Sequence, residues 1–159
     1  YFSSLRTDQQ LGYVVSAGAR RMDKRGGNLF LVQSPVASAK ALEEATMTFI
    51  QEYIDAWPNL SDAEFNQQKS GLINRLTESD KNLSERSQRY WRDIFDEHYT
   101  LDSLQQIAIE VSKFSKADML AFFQDLQKRL KEKSILIYSS GKFSEVPTSG
   151  RLLESAAAN

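Results

Sequence analysis

Two side chains near the start of this sequence carry hydrogen-bond donors that can bind a peptide. Arg6 offers a guanidinium, a rigid fork of donors that suits carbonyl or carboxylate oxygens, and Tyr13 offers a phenol, one donor that can follow a developing negative charge. The alternative interpretation is structural, with Arg6 as a solvated helix residue and Tyr13 as a half-buried aromatic residue of a strand. Spacing alone leaves both interpretations open.

The elements around these two residues determine whether they can meet. Residues 3–10 contain no Gly, Pro or β-branched run, which predicts the last turn or two of a helix. Gly12 then lies where a helix end needs a residue that tolerates a positive φ, and an alternating run that is typical of a strand begins at Tyr13. Arg6 is therefore predicted near a helix end and Tyr13 at the mouth of a strand, facing one corner.

A second strand is predicted over 28–34, between Gly26-Gly27 and Pro35, so the two strands form an antiparallel hairpin. The predicted turn carries four basic residues: Arg20, Arg21, Lys24 and Arg25. They favour either a solvated hairpin tip, the usual role of a charge run, or an anion site with salt-sensitive binding.

Five amphipathic helices follow in the predicted order. Pro58 stops the first, a Ser61-x-x-Glu64 capping box opens the second, and Ser115-x-x-Asp118 opens the fifth. Gly71 lies inside the second helix, where it predicts a close approach of another helix or backbone. All five apolar stripes keep a helical period and are predicted to be core rather than a ligand-binding box; in the third helix the stripe is Leu83, Ser87, Tyr90, Trp91, Ile94 and Phe95.

A short apolar run at 134–139 predicts a last strand, which Gly141 ends. The predicted fold class is α+β: an antiparallel sheet of about three strands packed under about five helices. Residues 1–145 are predicted to form one domain and residues 146–159 a loose tail.

Composition excludes several function classes for this 159-residue chain. Its 20 basic and 21 acidic residues nearly cancel, which argues against a nucleic-acid or membrane partner held by bulk charge. It has no cysteine and one histidine, His98, which is interpreted as a helix-end residue. One imidazole without thiolates cannot build a catalytic or closed zinc site, so the sequence predicts no metal in this chain and no complete enzyme.

The run from Leu5 to Tyr13 closely resembles the Leu-Arg-Thr-x-x-Gln-Leu-Gly-Tyr signature in the C-terminal half of the insulinase and pitrilysin family of zinc metallopeptidases. The resemblance continues less tightly through Leu31–Ser34 and through Asn82–Tyr99. It covers nearly the whole chain apart from about the last fifteen residues. It implies a metallopeptidase-like (LuxS/pitrilysin-type) layered domain.

The resemblance also implies roles for the two polar residues. Arg6 resembles the arginine that contacts the substrate backbone, and Tyr13 resembles the tyrosine whose hydroxyl approaches the scissile carbonyl. The zinc of the parent enzyme is expected in a separate N-terminal domain, and this chain is expected to help close the peptide chamber. A noncatalytic interaction or assembly module of the same family is the alternative.

The expected partners are a peptide substrate and the zinc-bearing N-terminal domains of the same protein. Tyr1 begins in mid-pattern, and a family domain normally starts with a further strand and helix, so the chain is interpreted as a fragment truncated at its N-terminus. A sheet edge left without its partner favours self-association. The resemblance implies a periplasmic location, with the cytoplasm as the alternative.

Overall fold

The computed structural model of this chain describes residues 1–22 and 25–151. A π-helix, Ser3–Asp8, precedes a hairpin of strands β1, Val14–Met22, and β2, Arg25–Gln33. Five α-helices follow, the first of them joined to the second through a 3₁₀ turn, Trp57–Asn59; they are α1 (Ala39–Ala56), α2 (Asp62–Thr77), α3 (Leu83–Phe95), α4 (Ser103–Lys113) and α5 (Lys116–Glu132). The α+β class and the five predicted helices are confirmed, and none of the described helices is long and apolar enough to cross a membrane.

The chain divides into two compact units, and α1 and α5 contribute residues to both. The first unit contains residues 1–19, 28–53 and the described part of 124–159. Its buried centre consists of Leu5, Val15 and Ile50. Tyr1 adds an aromatic contact to Phe49, with ring centroids 5.3 Å apart, and its hydroxyl lies 2.9 Å from the hydroxyl of Thr46. The N-terminal segment is thereby packed against α1.

The second unit contains residues 54–123 and the described part of the hairpin tip. Here α2 packs on α4, and the buried indole of Trp57 lies edge-on to Phe123 with the ring centroids 5.0 Å apart. The indole Nε1 donates to the carbonyl of Lys116 at 3.1 Å, and Lys116 Nζ donates back to the carbonyl of Pro58 at 3.2 Å. The start of α5 is therefore tied to the turn that ends α1.

Both predicted capping boxes are present. The hydroxyl of Ser61 accepts from the backbone N–H of Glu64 at 3.2 Å while the Glu64 carboxylate accepts from the N–H of Ser61 at 2.9 Å. Ser115 and Asp118 repeat the same exchange at 3.1 and 2.8 Å. Each exchange pairs two backbone donors that a helix start leaves without an intrahelical acceptor.

The third helix contradicts the prediction that its apolar stripe is core. Trp91 and Phe95 are exposed, whereas Asp93 on the opposite side is 2% exposed. The physical reason is that two residues on the inward side of α3 have polar partners: Arg89 binds Asp80, and the carboxylate of Asp93 accepts from the hydroxyl and N–H of Ser103. A helical period shows that two faces differ, but it does not show which of them is covered.

Two smaller predictions also differ from the structure, and a third falls mostly on residues that the structure does not describe. Among the described residues the sheet has two strands, because 134–139 makes no ladder with a neighbouring strand. In the part of the chain that the structure describes, nothing lies within 4 Å of the position where a Cβ on Gly71 would be, so the expected close approach is absent there. Residues 152–159 of the predicted tail lie outside the described residues.

Candidate functional site

The segment that carries Arg6 is wound more widely than the α-helical turn that the sequence predicts. The N–H of Gln9 donates to the carbonyl of Ser4 at 2.9 Å, five residues back, and the N–H of Leu11 donates to the carbonyl of Leu5 at 2.8 Å. Such π-type turns are rare and occur frequently at functional sites. Arg6 lies in the last turn of this π-helix, as predicted for a helix end.

Leu5 anchors the segment. Its side chain has no exposed surface and is the largest fully buried side chain among the described residues. Burying a leucine completely stabilises a fold by about 1.5–3 kcal/mol relative to leaving it in water. The residue next to Arg6 therefore holds the backbone of the π-helix against the first unit, while Arg6 itself is exposed.

The guanidinium of Arg6 is held on one side by an aromatic ring. Its central carbon lies 5.1 Å from the ring centroid of Phe2, a cation–π contact along one face of the turn. No carboxylate of the described residues forms an ion pair with Arg6. The guanidinium has no hydrogen-bond acceptor in 1–22 and 25–151 either, and we expect its N–H donors to be open to ligand oxygens. The sequence reasoning missed Phe2, although its spacing of four residues from Arg6 is a recognisable signal.

The structure places Tyr13 immediately before β1, at the predicted mouth of the strand. Its backbone N–H donates to the carbonyl of Gln33 at 3.0 Å, which ties it to the end of β2. The side chain is 68% exposed, more than the half-buried strand aromatic of the alternative interpretation, whereas the exposed Arg6 of a helical turn agrees with that interpretation. Backbone pairing holds the residue in position while the phenol stays open to solvent.

Gly12 is required for a different reason from the one predicted. The positive φ in this stretch belongs to Gln10, at 52°. Gly12 instead approaches β2 so closely that an added Cβ would lie 2.9 Å from Cγ1 of Val32 and 3.0 Å from the carbonyl oxygen of Gln33. The absence of a side chain lets the segment between Arg6 and Tyr13 pass directly over the strand.

Two further features of the sequence are His98, interpreted as a helix-end residue, and the basic residues of the hairpin tip, for which an anion site was the alternative. His98 follows the end of α3 and donates its backbone N–H to the carbonyl of Asp93 at 2.7 Å. Within 1–22 and 25–151, no three His, Asp or Glu side chains converge to hold a metal ion. Of the four basic residues that suggested an anion site, Arg20 is exposed, whereas Lys24 and the side chains of Arg21 and Arg25 lie outside the described residues.

Comparison with known proteins assigns the chain to a family. Residues 1–91 match the sequence model of the family described as PQQ synthase PqqF-like, C-terminal lobe domain 4. The chain belongs to the insulinase family, as a C-terminal domain. The match includes the whole of the Leu5–Tyr13 signature, so the resemblance that the signature suggested is confirmed.

Relatives of this insulinase-family domain include a putative zinc protease, mug138, from Schizosaccharomyces pombe, 34% identical over 77% of the chain. A nardilysin-like protein from Arabidopsis thaliana is 32% identical over 77%, and the insulin-degrading enzyme of Mus musculus is 28% identical over 79%. The chain spans 12% of the length of each of these proteins.

A crystal structure of pitrilysin has the same fold over most of the domain. The TM-score is 0.71 at 23% identity, and the match covers 79% of this chain and 13% of the pitrilysin chain. The mixed α+β architecture is therefore that of a pitrilysin-type domain, with a difference in strand count.

Proposed function

We propose that this domain supplies substrate-binding and oxyanion-stabilising side chains to a zinc metalloendopeptidase whose metal site lies in a separate N-terminal domain. One observation supports the proposal most directly: within the family signature the apolar residue Leu5 is fully buried, while Arg6 and Tyr13 are exposed. A segment held firmly by its apolar residue and its backbone presents polar side chains from a fixed backbone position, which favours a binding site.

The two residues have distinct roles in this proposal. The hydroxyl of Tyr13 donates a hydrogen bond to the oxygen of the scissile carbonyl as negative charge develops on it, which stabilises the transition state. Arg6 binds a carbonyl or carboxylate of the peptide and positions it. The hydrogen bond from Tyr13 is strongest when water is excluded, and closing a chamber over the peptide excludes it.

The described residues do not form a binding site for the zinc of such an enzyme, because no three His, Asp or Glu side chains lie together. The partners in the proposal are accordingly the peptide substrate and the zinc-bearing domains of the longer protein, and the chain alone is expected to cleave no peptide. The periplasmic location stays a prediction, with the cytoplasm as alternative. The relatives named above come from a yeast, a plant and an animal and give the periplasm no support.

A noncatalytic interaction or assembly module is the second candidate. It is favoured by the wide exposed apolar surface of α3, which a catalytic role for Arg6 and Tyr13 does not use. A reading frame that encodes His-x-x-Glu-His several hundred residues upstream of this chain supports the peptidase. A reading frame that extends equally far upstream without that motif supports the noncatalytic module.

The decisive experiment replaces Tyr13 by Phe in the full-length protein. If the hydroxyl donates to the oxyanion, kcat falls by about 10² to 10³ fold, the loss that follows removal of one such donor. Arg6→Ala is expected to raise KM more than it lowers kcat, because a positioning contact acts on bound substrate and transition state alike.

Tyr99→Phe is the matched control, because Tyr99 is another strongly exposed tyrosine, outside the signature. Its kcat should equal that of the unmodified protein. If Tyr13→Phe also keeps the unmodified kcat while the circular dichroism spectrum is unchanged, Tyr13 has no part in catalysis and the proposal fails.

A further inference from the structure

The N-terminal turn has an inward and an outward side, and the outward side carries an aromatic residue beside Arg6. Residues four apart on a helical turn are neighbours. Tyr1 and Leu5 form the inward pair: Leu5 is fully buried, its N–H donates to the carbonyl of Tyr1 at 3.0 Å, and the ring of Tyr1 packs on Phe49. Phe2 and Arg6, one residue further along, form the outward pair, and both are exposed.

The backbone holds the ring of Phe2 beside the guanidinium. Phe2 precedes the π-helix with helical φ and ψ of −56° and −52°, so its side chain leaves the turn near that of Arg6. The central carbon of the guanidinium lies over the ring at 5.1 Å from its centroid, within the roughly 6 Å of a cation–π contact. Phe2 is 48% exposed and contacts no other aromatic ring among the described residues. Core packing therefore does not explain its position.

Arg89 shows how a guanidinium is fixed when its role is structural. Its N–H donors bind both carboxylate oxygens of Asp80 and the carbonyl of Leu101, so they are already occupied. It also lies over an aromatic ring, that of Tyr90, at 4.6 Å from the centroid. Arg6 has the aromatic contact without the acceptors. A ring attracts the charge of a guanidinium but takes up none of its N–H donors, whereas a carboxylate takes up both.

This difference matters for binding. A long side chain that is free in solution loses rotamer freedom when it binds a ligand, and this loss weakens binding. A contact that restricts the side chain beforehand reduces the loss. The ring of Phe2 can restrict the guanidinium of Arg6 before a peptide arrives, and it leaves the donors open for the peptide.

We propose that Phe2 is a positioning residue for Arg6: its ring holds the guanidinium, through cation–π attraction, where Arg6 binds the peptide. This inference rests on the substrate-binding role proposed for Arg6 above. It requires no contact between Phe2 and the peptide. Loss of the ring should raise KM and leave kcat nearly unchanged, because Arg6 binds the substrate and the transition state alike.

The test measures KM and kcat of the full-length protein with one quenched fluorescent peptide that it cleaves. Phe2→Leu, and replacement of Phe2 by 3,4,5-trifluorophenylalanine, should each raise KM by about 2- to 5-fold, the effect of losing a cation–π contact at an exposed site. The fluorinated ring keeps nearly the shape of phenylalanine, but its fluorine atoms withdraw the electron density that attracts a cation. Phe2→Tyr keeps that density and should leave KM unchanged.

Phe114→Leu is the matched control. Phe114 is 46% exposed, nearly as much as Phe2, and no cation lies over its ring within 1–22 and 25–151, so KM should stay at its unmodified value. A double-mutant cycle adds a second test. In an Arg6→Ala background Phe2→Leu should have no further effect on KM, because the ring has no guanidinium left to hold.

The outcomes separate this inference from the proposed function. If Arg6→Ala leaves KM unchanged, the substrate-binding role of Arg6 fails, and the role of Phe2 fails with it. If Arg6→Ala raises KM but the trifluorinated ring does not, only the positioning role of Phe2 is overturned. An effect of Phe2→Leu that persists in the Arg6→Ala background also overturns it, because Phe2 then acts independently of Arg6.

Discussion

Arg89 and Asp80 form a bidentate ion pair that joins α3 to the segment before it, with Nε–Oδ1 and Nη2–Oδ2 distances of 3.1 and 2.7 Å. The same guanidinium bonds the carbonyl of Leu101, a residue held at a positive φ of 58°. One side chain in the middle of α3 therefore binds both the segment before the helix and the segment after it, and we expect the orientation of the helix to depend on it.

Arg89→Ala is expected to lower the midpoint of thermal unfolding by several degrees, about 2–8 °C, because it removes the bidentate pair and leaves Asp80 without its main partner. Differential scanning calorimetry measures this. Arg92→Ala is the matched control, since Arg92 lies on α3 and forms no ion pair among the described residues, and it should shift the midpoint far less. Equal midpoints for the two variants would show that the bidentate pair does not hold α3.

The free energy of unfolding should decrease in acid, because carboxylates that cap the helices or form ion pairs with them become protonated. The guanidinium of Arg89 lowers the pKa of Asp80, and hydrogen bonds from Ser61 and Ser115 lower the pKa values of Glu64 and Asp118. A pKa that is lower in the folded than in the unfolded state stabilises the fold above the unfolded pKa, about 4, and this stabilisation is lost as the pH falls below it.

The free energy of unfolding, measured by urea titration at several pH values, should therefore decrease from pH about 5 to about 2. Asp80→Asn should make this decrease shallower, because one of the linked carboxylates is gone. If the unmodified protein and the Asn variant lose stability in parallel over this interval, Asp80 does not contribute to the acid sensitivity.

Gly12→Ala is expected to destabilise the fold by about 1–3 kcal/mol, the usual cost of forcing extra volume into a packed site. The new Cβ would lie 3.0 Å from the carbonyl oxygen of Gln33, which is backbone and cannot move away cheaply. Gly71→Ala is the matched control. It lies inside α2 with nothing within 4 Å, so the same change should stabilise the protein by about 0.5–1 kcal/mol. Chemical denaturation compares the two, and effects of the same sign would contradict the geometry at Gly12.

The isolated chain is expected to bind no stoichiometric zinc, because it has one histidine and no cysteine, and no three His, Asp or Glu side chains of the described residues converge. Elemental analysis after dialysis against a small excess of zinc measures the bound metal, and His98→Ala serves as the control. One tightly held zinc ion per chain, lost in the His98 variant, would show a site that the sequence does not predict.

The sequence alone determined the local features of this chain. The capping boxes at Ser61 and Ser115 are recognisable because a hydroxyl and a carboxylate three residues apart can reach each other whatever the rest of the fold does. Helix positions follow from apolar spacing, and the hairpin follows from two strand-like runs. The predicted turn was too long, because Arg20 and Arg21 belong to β1 and Arg25, Gly26 and Gly27 to β2. Membership of the insulinase family follows from the Leu5–Tyr13 signature, whose spacing is specific.

Only the tertiary structure decided which surfaces are covered. The period of α3 is the same whether Trp91 faces the core or the solvent, and the choice was made by Asp80 and Ser103, distant in sequence, which pair with Arg89 and Asp93. Likewise, Gly12 must be glycine because a Cβ there would collide with Val32 of β2, which is distant in sequence. Local patterns arise from bonds within a few residues, whereas burial depends on which partners the whole chain brings together, and that information is not local.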